Sequence, residues 1–233
     1  MNFNFIFSNL DIIFLVVWII FFIIVAVRFV RPLWVKNVSY TWLVLCAAAL
    51  HLFYVIVVTW GQYHVWAIGS DLTRTLLSSP LPMEAPLPSI LEWSRSYLNQ
   101  PLGYFAYYAF GRFFLSVLIL FAVAGLLFVV FKIVNKYRGG LGEHGPELLL
   151  VLMLISGWPG VLLLIPLALI LAALFLILPR TVLGRFIQRE SLDGTWEERR
   201  IYIEQAFLVA TPLALLFARP LLAHFHLLAF LTV

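Results

Sequence analysis

One apolar run limits this chain more than any other feature. Residues 148–178 form 31 consecutive positions without a charged side chain, interrupted at Gly157-Trp158-Pro159-Gly160. A straight helix of that length would overshoot a hydrocarbon core, which about 20 residues cross, by about 10 residues. Proline withholds a backbone donor, and the flanking glycines tolerate a tight reversal. The run is therefore expected to enter and return as a re-entrant or asymmetric hairpin, with arms of about 9 and 18 residues around the break. One tilted, kinked helix that crosses once is the alternative.

Four further apolar runs accompany it, at 12–27, 40–60, 113–131 and 206–233. The chain is 64% hydrophobic and 11% charged, against about half and a quarter in soluble domains. Both observations point to an all-α fold, a polytopic helical membrane protein of about five or six membrane segments in one integral domain spanning 1–233. Pro32 closes the first run after Arg28 and Arg31, and Tyr40 and Trp60 bracket the second as interfacial aromatic residues do. The N-terminus carries neither a basic stretch nor a small-residue cleavage site, so the first run is expected to stay as an anchor.

Lysine and arginine set the expected orientation. Arg28, Arg31 and Lys36 follow the first run, and Lys132, Lys136 and Arg138 follow the third, which puts both loops in the cytoplasm and the N-terminus outside. The proline-rich loop 61–103 has only Arg74 and Arg95 against Asp71, Glu84 and Glu92, and fits the extracytoplasmic side. Segment 179–205 holds Arg180, Arg185, Arg189, Arg199 and Arg200, which fit the cytoplasm only if 148–178 returns. A bacterial inner membrane is the expected location. The net charge of +4 is spread over these loops, which marks topology and lipid headgroup contact and excludes a nucleic-acid surface.

Polar residues within or beside apolar runs are the candidates for function. Asp11, Arg112 and Arg219 fall at ends or breaks, where anchoring at the interface also explains them. Among the histidines, His51 is the one placed mid-run, and a bis-histidine haem would need a second imidazole at matching depth on a facing helix. His224 and His226 point about 200° apart on a helix and do not serve one metal. No cofactor is expected. The turn 137–147, Tyr-Arg-Gly-Gly-Leu-Gly-Glu-His-Gly-Pro-Glu, lacks the lysine and hydroxyl residue of a phosphate-binding loop. Within 184–205, Ser191-Leu192-Asp193-Gly194 is expected to turn and Thr195 to cap an interfacial cytoplasmic helix, with a docking element for a cytoplasmic partner as the sharper alternative. The single Cys46 is expected to be a packing or lipid-facing residue.

The second half, from Tyr137-Arg-Gly-Gly-Leu-Gly through Gly157-Trp-Pro-Gly and the Leu/Ala-rich run, resembles the prepilin peptidases, intramembrane aspartic proteases with a Gly-x-Gly-Asp motif. Residues 206–222 look like that family's closing span, and Ala67-Ile-Gly-Ser-Asp71 is similar to its first aspartate segment. The resemblance implies a role for Asp71 and, near the second aspartate, for Glu143, His144 and Glu147. Pro146 stands where the second aspartate belongs, and the proline spacing after Asp71 is longer than the family's. Two carboxylates must share a site to activate water, so the resemblance implies a relative without the catalytic pair. Arg185-Phe-Ile-Gln-Arg-Glu-Ser-Leu-Asp-Gly is also similar to membrane proteins of conjugative elements.

The expectation is therefore a non-catalytic accessory or scaffold subunit of a larger membrane complex, in a secretion, pilus or conjugation assembly. Its partners would be other membrane proteins, lipid, and a cytoplasmic protein at 179–205. An intramembrane protease using Asp71, or a haem subunit using His51, are the competing expectations.

Overall fold

The computed structural model describes residues 9–139, 141–177 and 197–224. Among them every regular element is helical. Helix α1 (Leu10–Val30) and α2 (Tyr40–Ile68) are joined by a turn that Arg28 holds, its Nε donating to the Val38 carbonyl at 3.0 Å and its Nη1 to the Pro32 carbonyl at 2.9 Å. Ser39 caps α2 by accepting from the Trp42 N–H at 3.2 Å. Helix α2 continues two turns past the apolar run that ends at Trp60, because Gly61 sits buried inside it and nothing nearer than Gly69 stops it.

After α2 come α3 (Asp71–Ser78), a 3₁₀ turn (Ser89–Ser94) and α4 (Arg95–Leu98). Arg95 knits this proline-rich segment together. It donates from Nε and Nη2, one edge of the guanidinium, to the two Glu92 carboxylate oxygens at 2.8 and 2.9 Å, and from Nη1 to the Met83 carbonyl. The hydrogen bond also holds the Glu92 carboxyl below its usual range and Arg95 above its own. Leu77, Phe105 and Ala109 form a small core under the segment, with Trp66 and Phe113 against it.

Helix α5 (Gly103–Ala109) passes through a π-helical turn (Phe110–Phe114) into α6 (Leu115–Arg138). Together they make one rod, Gly103–Arg138, longer at both ends than its apolar centre at 113–131. Gly139 stops it in the left-handed conformation, φ 60°. Among the described residues, three elements are thus long and apolar enough to cross a membrane: Leu10–Val30, Tyr40–Ile68 and Gly103–Arg138.

The core is a fourth, shorter element. Helix α7 (Gly145–Ser156) has 12 residues, and all but Glu147 and Leu150 are buried. Its sequence has no polar face, which suits it to apolar surroundings on every side, and here neighbouring helices supply them. Helices α2, α6 and α9 (Glu197–His224) pack on it, with α1 closing a fourth side. The chain breaks after Ser156 and resumes as α8 (Gly160–Ile177), whose closest partner is α9.

Direction follows from two contacts. Gly142, before α7, meets Glu204 near the start of α9, whereas Gly160, after α7, lies against Ala214 and Ala218. Helix α7 therefore runs parallel to α9. Helix α8 shares its extensive packing with the described part of α9, Glu197–His224.

Helix α9 presents Ala206, Ala210, Ala214 and Ala218, all buried, at four-residue spacing. Between apolar helices in lipid, small residues supply the close approach that gives van der Waals contact its strength. Arg219-Pro220 does not split this helix, which carries Pro212 and Pro220 in its interior and continues through His224. The expected Ser191–Gly194 turn, the Thr195 cap, Arg180, Arg185, Arg189 and His226 lie outside the described residues, as does the side chain of Arg219.

Candidate functional site

At the carbonyl end of α7 the break opens a cleft of about 420 Å³. Five pieces of chain build its wall: the first two turns of α1, the middle of α2, the start of α6, the Ser156–Gly160 turn and the second half of α9. His51, buried on α2, donates from Nε2 to the Leu154 carbonyl at 2.8 Å. A carbonyl only accepts, so Nε2 carries a proton. Trp18 lies against the imidazole, ring centroids 4.6 Å apart, and Phe121 meets its edge at 6.1 Å.

Asp11 stands at the cleft's outer rim and accepts from the Tyr54 hydroxyl at 2.7 Å. Phe14 meets the same tyrosine ring edge-on at 4.6 Å. Ser156 turns its hydroxyl back to the Met153 carbonyl at 2.8 Å. Four residues after Ile155 stands Pro159, which has no N–H to return to the Ile155 carbonyl. The end of α7 thus aims the negative pole of a helix dipole at a space that Asp11 also borders.

A second polar group surrounds the other end of α7. The Gly142 N–H donates to Glu204 Oε1 at 2.8 Å, and Asn135 clamps the same loop by accepting from Leu141 N–H at 2.8 Å and donating to the Gly142 carbonyl at 3.2 Å. A Cβ on Gly145 would collide with Glu204 Oε1 and Leu141, so glycine there makes room for the carboxylate. Glu204 precedes the apolar run at 206. Burial pushes its carboxyl above the usual range, and the Gly142 N–H pulls it part of the way back. Glu147 Oε2 and Gln205 Oε1 are buried here without a partner among the described residues.

The residues singled out in the sequence are dispersed. His144 is exposed, its ring 6.0 Å from that of Tyr40 at the start of α2, and Glu143 beside it is exposed. Asp71 is exposed past the far end of α2, 3.7 Å from Arg74. The length of α2, about 44 Å at 1.5 Å per residue, separates Asp71 from the Glu143–Glu147 group. Arg112 is exposed in the π-helical turn. Among the described residues no three His, Cys, Asp or Glu side chains gather as metal ligands do.

Sequence reasoning passed over Glu204, Asn135, Tyr54 and Ser156. Glu204 carried a signal, a carboxylate two residues ahead of an apolar run, but its partner lies 62 residues away. Compared with known proteins, the chain matches no family model, no curated sequence and no solved fold.

Proposed function

We propose that this chain is a non-catalytic accessory subunit of a larger membrane complex. The observation that carries the reading is the surface of the proline-rich segment. Leu72, Met83, Trp93 and Tyr97 are 69%, 73%, 74% and 69% exposed there, beyond the apolar parts of α2 and α6, on a segment that Arg95 holds in one shape. Exposed apolar groups outside the lipid, on an ordered support, favour a protein partner. The wide separation of Asp71 from Glu147 favours a role other than carboxylate-pair hydrolysis.

In this reading the N-terminus and the proline-rich segment face outward, segment 179–205 faces the cytoplasm, and α7 with α8 forms a membrane hairpin, five or six membrane segments in all. The glycine-rich turn, short helix and Gly-Trp-Pro-Gly break are what the reading takes from the likeness to prepilin peptidases. A secretion, pilus or conjugation machine in a bacterial inner membrane is the setting that likeness suggests.

The test is blue-native electrophoresis of gently solubilised membranes, comparing the native chain with Trp93→Lys and with Met83→Glu. A defined assembly that both substitutions dissolve, while the chain remains folded, supports the reading. Migration of the native chain alone at its monomer size overturns it.

A further inference from the structure

We propose that Arg112 and the apolar groove beside it bind an anionic phospholipid, the guanidinium taking the phosphate and the groove one acyl chain. The site belongs to the outer surface of α2 and the α5–α6 rod, so it is independent of the accessory role.

Ring contacts set the depth of Arg112. Phe105 meets Tyr63 at 5.8 Å and Trp66 at 5.4 Å, and Phe121 meets His51 at 6.1 Å. The rod therefore runs antiparallel to α2. Arg112 stands seven residues past Phe105, about 10 Å farther toward the middle of α2 at 1.5 Å per residue. That is the level of Thr59, at the end of the apolar run 40–60. Trp60 and Tyr63, 47% and 39% exposed, mark the same level as an interfacial aromatic belt does.

A guanidinium at that level requires an anion. Arg112 is exposed, and among the described residues it has no hydrogen bond, ion pair or ring partner. The nearby carboxylates are engaged with other arginines, Asp71 with Arg74 at 3.7 Å and Glu92 with Arg95 at 2.8 Å. A charge at the edge of the hydrocarbon core is costly unless it is paired. The planar fork of arginine matches two phosphate oxygens at once, and its long stem reaches up to a headgroup.

The groove supplies what interfacial anchoring alone does not. It has a volume of about 460 Å³, with Thr59 and Tyr63 on the α2 side and Ala106, Ala109, Phe110 and Phe114 on the rod. No charged residue lines it, which suits a hydrocarbon chain. Phe110 and Phe114 begin and end the π-helical turn that carries Arg112, so one wide turn presents the cation and the apolar wall together. Such turns inside α-helices recur at functional sites. A phosphate held by Arg112 starts its acyl chain at the level of the groove.

The experiment is photolabelling of the purified full chain in phosphatidylcholine nanodiscs, with phosphatidylglycerol carrying a diazirine on one acyl chain as the probe. Saturable labelling near one lipid per chain is expected, with adducts mapping to 59–63 or 106–114. Arg112→Gln should weaken it at least about fivefold, and Arg112→Lys, which keeps the charge and loses the fork, should weaken it less. Ala106→Trp fills the groove from an exposed position and should remove the mapped adduct. Arg138→Gln, at the other end of the rod, should leave labelling unchanged. Undiminished labelling in Arg112→Gln overturns the proposal, as do adducts that map elsewhere. Equal capture of a phosphatidylcholine with the same photolabel overturns it too, and shows an apolar slot indifferent to charge. Displacement by inorganic phosphate overturns it in favour of a free-anion site. Loss of an assembly on blue-native gels in Arg112→Gln, with labelling unchanged, overturns it in favour of a carboxylate on a neighbouring chain.

Discussion

His51 and Leu154, 103 positions apart, meet through a hydrogen bond of 2.8 Å between Nε2 and the carbonyl oxygen. The bond fixes the last turn of α7 to the middle of α2, inside the bundle and beside the cleft. The same carbonyl also accepts from the Gly157 N–H at 3.1 Å. His51 therefore acts as a second anchor at the point where the helix ends.

That double acceptance sets the size of the effect of removing the histidine. His51→Phe keeps a ring against Trp18 and Phe121 and loses only the hydrogen bond. Because Leu154 retains its Gly157 partner, the cost should be about 1 kcal/mol and not the larger penalty of an orphaned carbonyl. Thermal unfolding of the purified variant should show a midpoint a few degrees lower. An unchanged midpoint would show that the bond contributes nothing net.

Glu204 gives a pH dependence with a definite sign. Its folded pKa is raised, so the folded chain holds this proton more tightly than the unfolded one. The stability it contributes is full below the unfolded pKa, about 4.3, and is lost as pH rises through the folded value. Glu204→Gln keeps an acceptor for Gly142 and carries no charge, so its advantage over the native chain should grow from acid to neutral pH. Unfolding midpoints of the two proteins across that range measure it, and a parallel pair of curves would contradict the burial argument.

Gly145→Val tests the same contact from the other side. The new side chain takes the space of Glu204 Oε1 and Leu141. Displacing a buried carboxylate and overpacking the start of α7 should cost more than about 2 kcal/mol. Fluorescence-detected gel filtration should show aggregated or poorly expressed protein, while Gly125→Ala, where a Cβ meets nothing within 4 Å, should behave as the native chain does.

The alanine seam predicts a graded response. A Cβ on Gly160 would lie 3.7 Å from Ala218 Cβ, ordinary contact, so Gly160→Ala should be tolerated. Ala214→Leu and Ala210→Leu would force α9 away from its neighbours and should each cost about 1–3 kcal/mol. Heat-induced aggregation in detergent ranks the three variants, and a leucine as benign as the Gly160→Ala control would show that the helices do not meet along this seam.

Orientation is open to a direct measurement. In a Cys46→Ser background, a cysteine at Ser96 should react with an impermeant maleimide from outside, and one at Arg189 only after the membrane is opened. Labelling of Arg189→Cys from outside would mean that the segment after the Gly-Trp-Pro-Gly break has crossed the membrane.

Composition alone determined that this chain is helical and has spans apolar enough for a membrane, because a chain 64% hydrophobic must bury its backbone polar groups in lipid by local hydrogen bonding. Local stereochemistry also reached the break at 157–160, which is a matter of neighbouring residues. What only the tertiary structure decided is which apolar surface faces protein. Leu148–Ile155 and Ile12–Ile24 are equally apolar in the sequence, yet the first is enclosed almost throughout and the second exposes Ile12, Ile20 and Ile23. Lipid and a neighbouring helix are both apolar surroundings, so hydrophobicity does not distinguish them and close fit does. The pairings of His51 with Leu154, Tyr54 with Asp11 and Glu204 with Gly142 were hidden for the same reason. Each joins residues far apart in the chain, and only the packing of the helices brings them within reach.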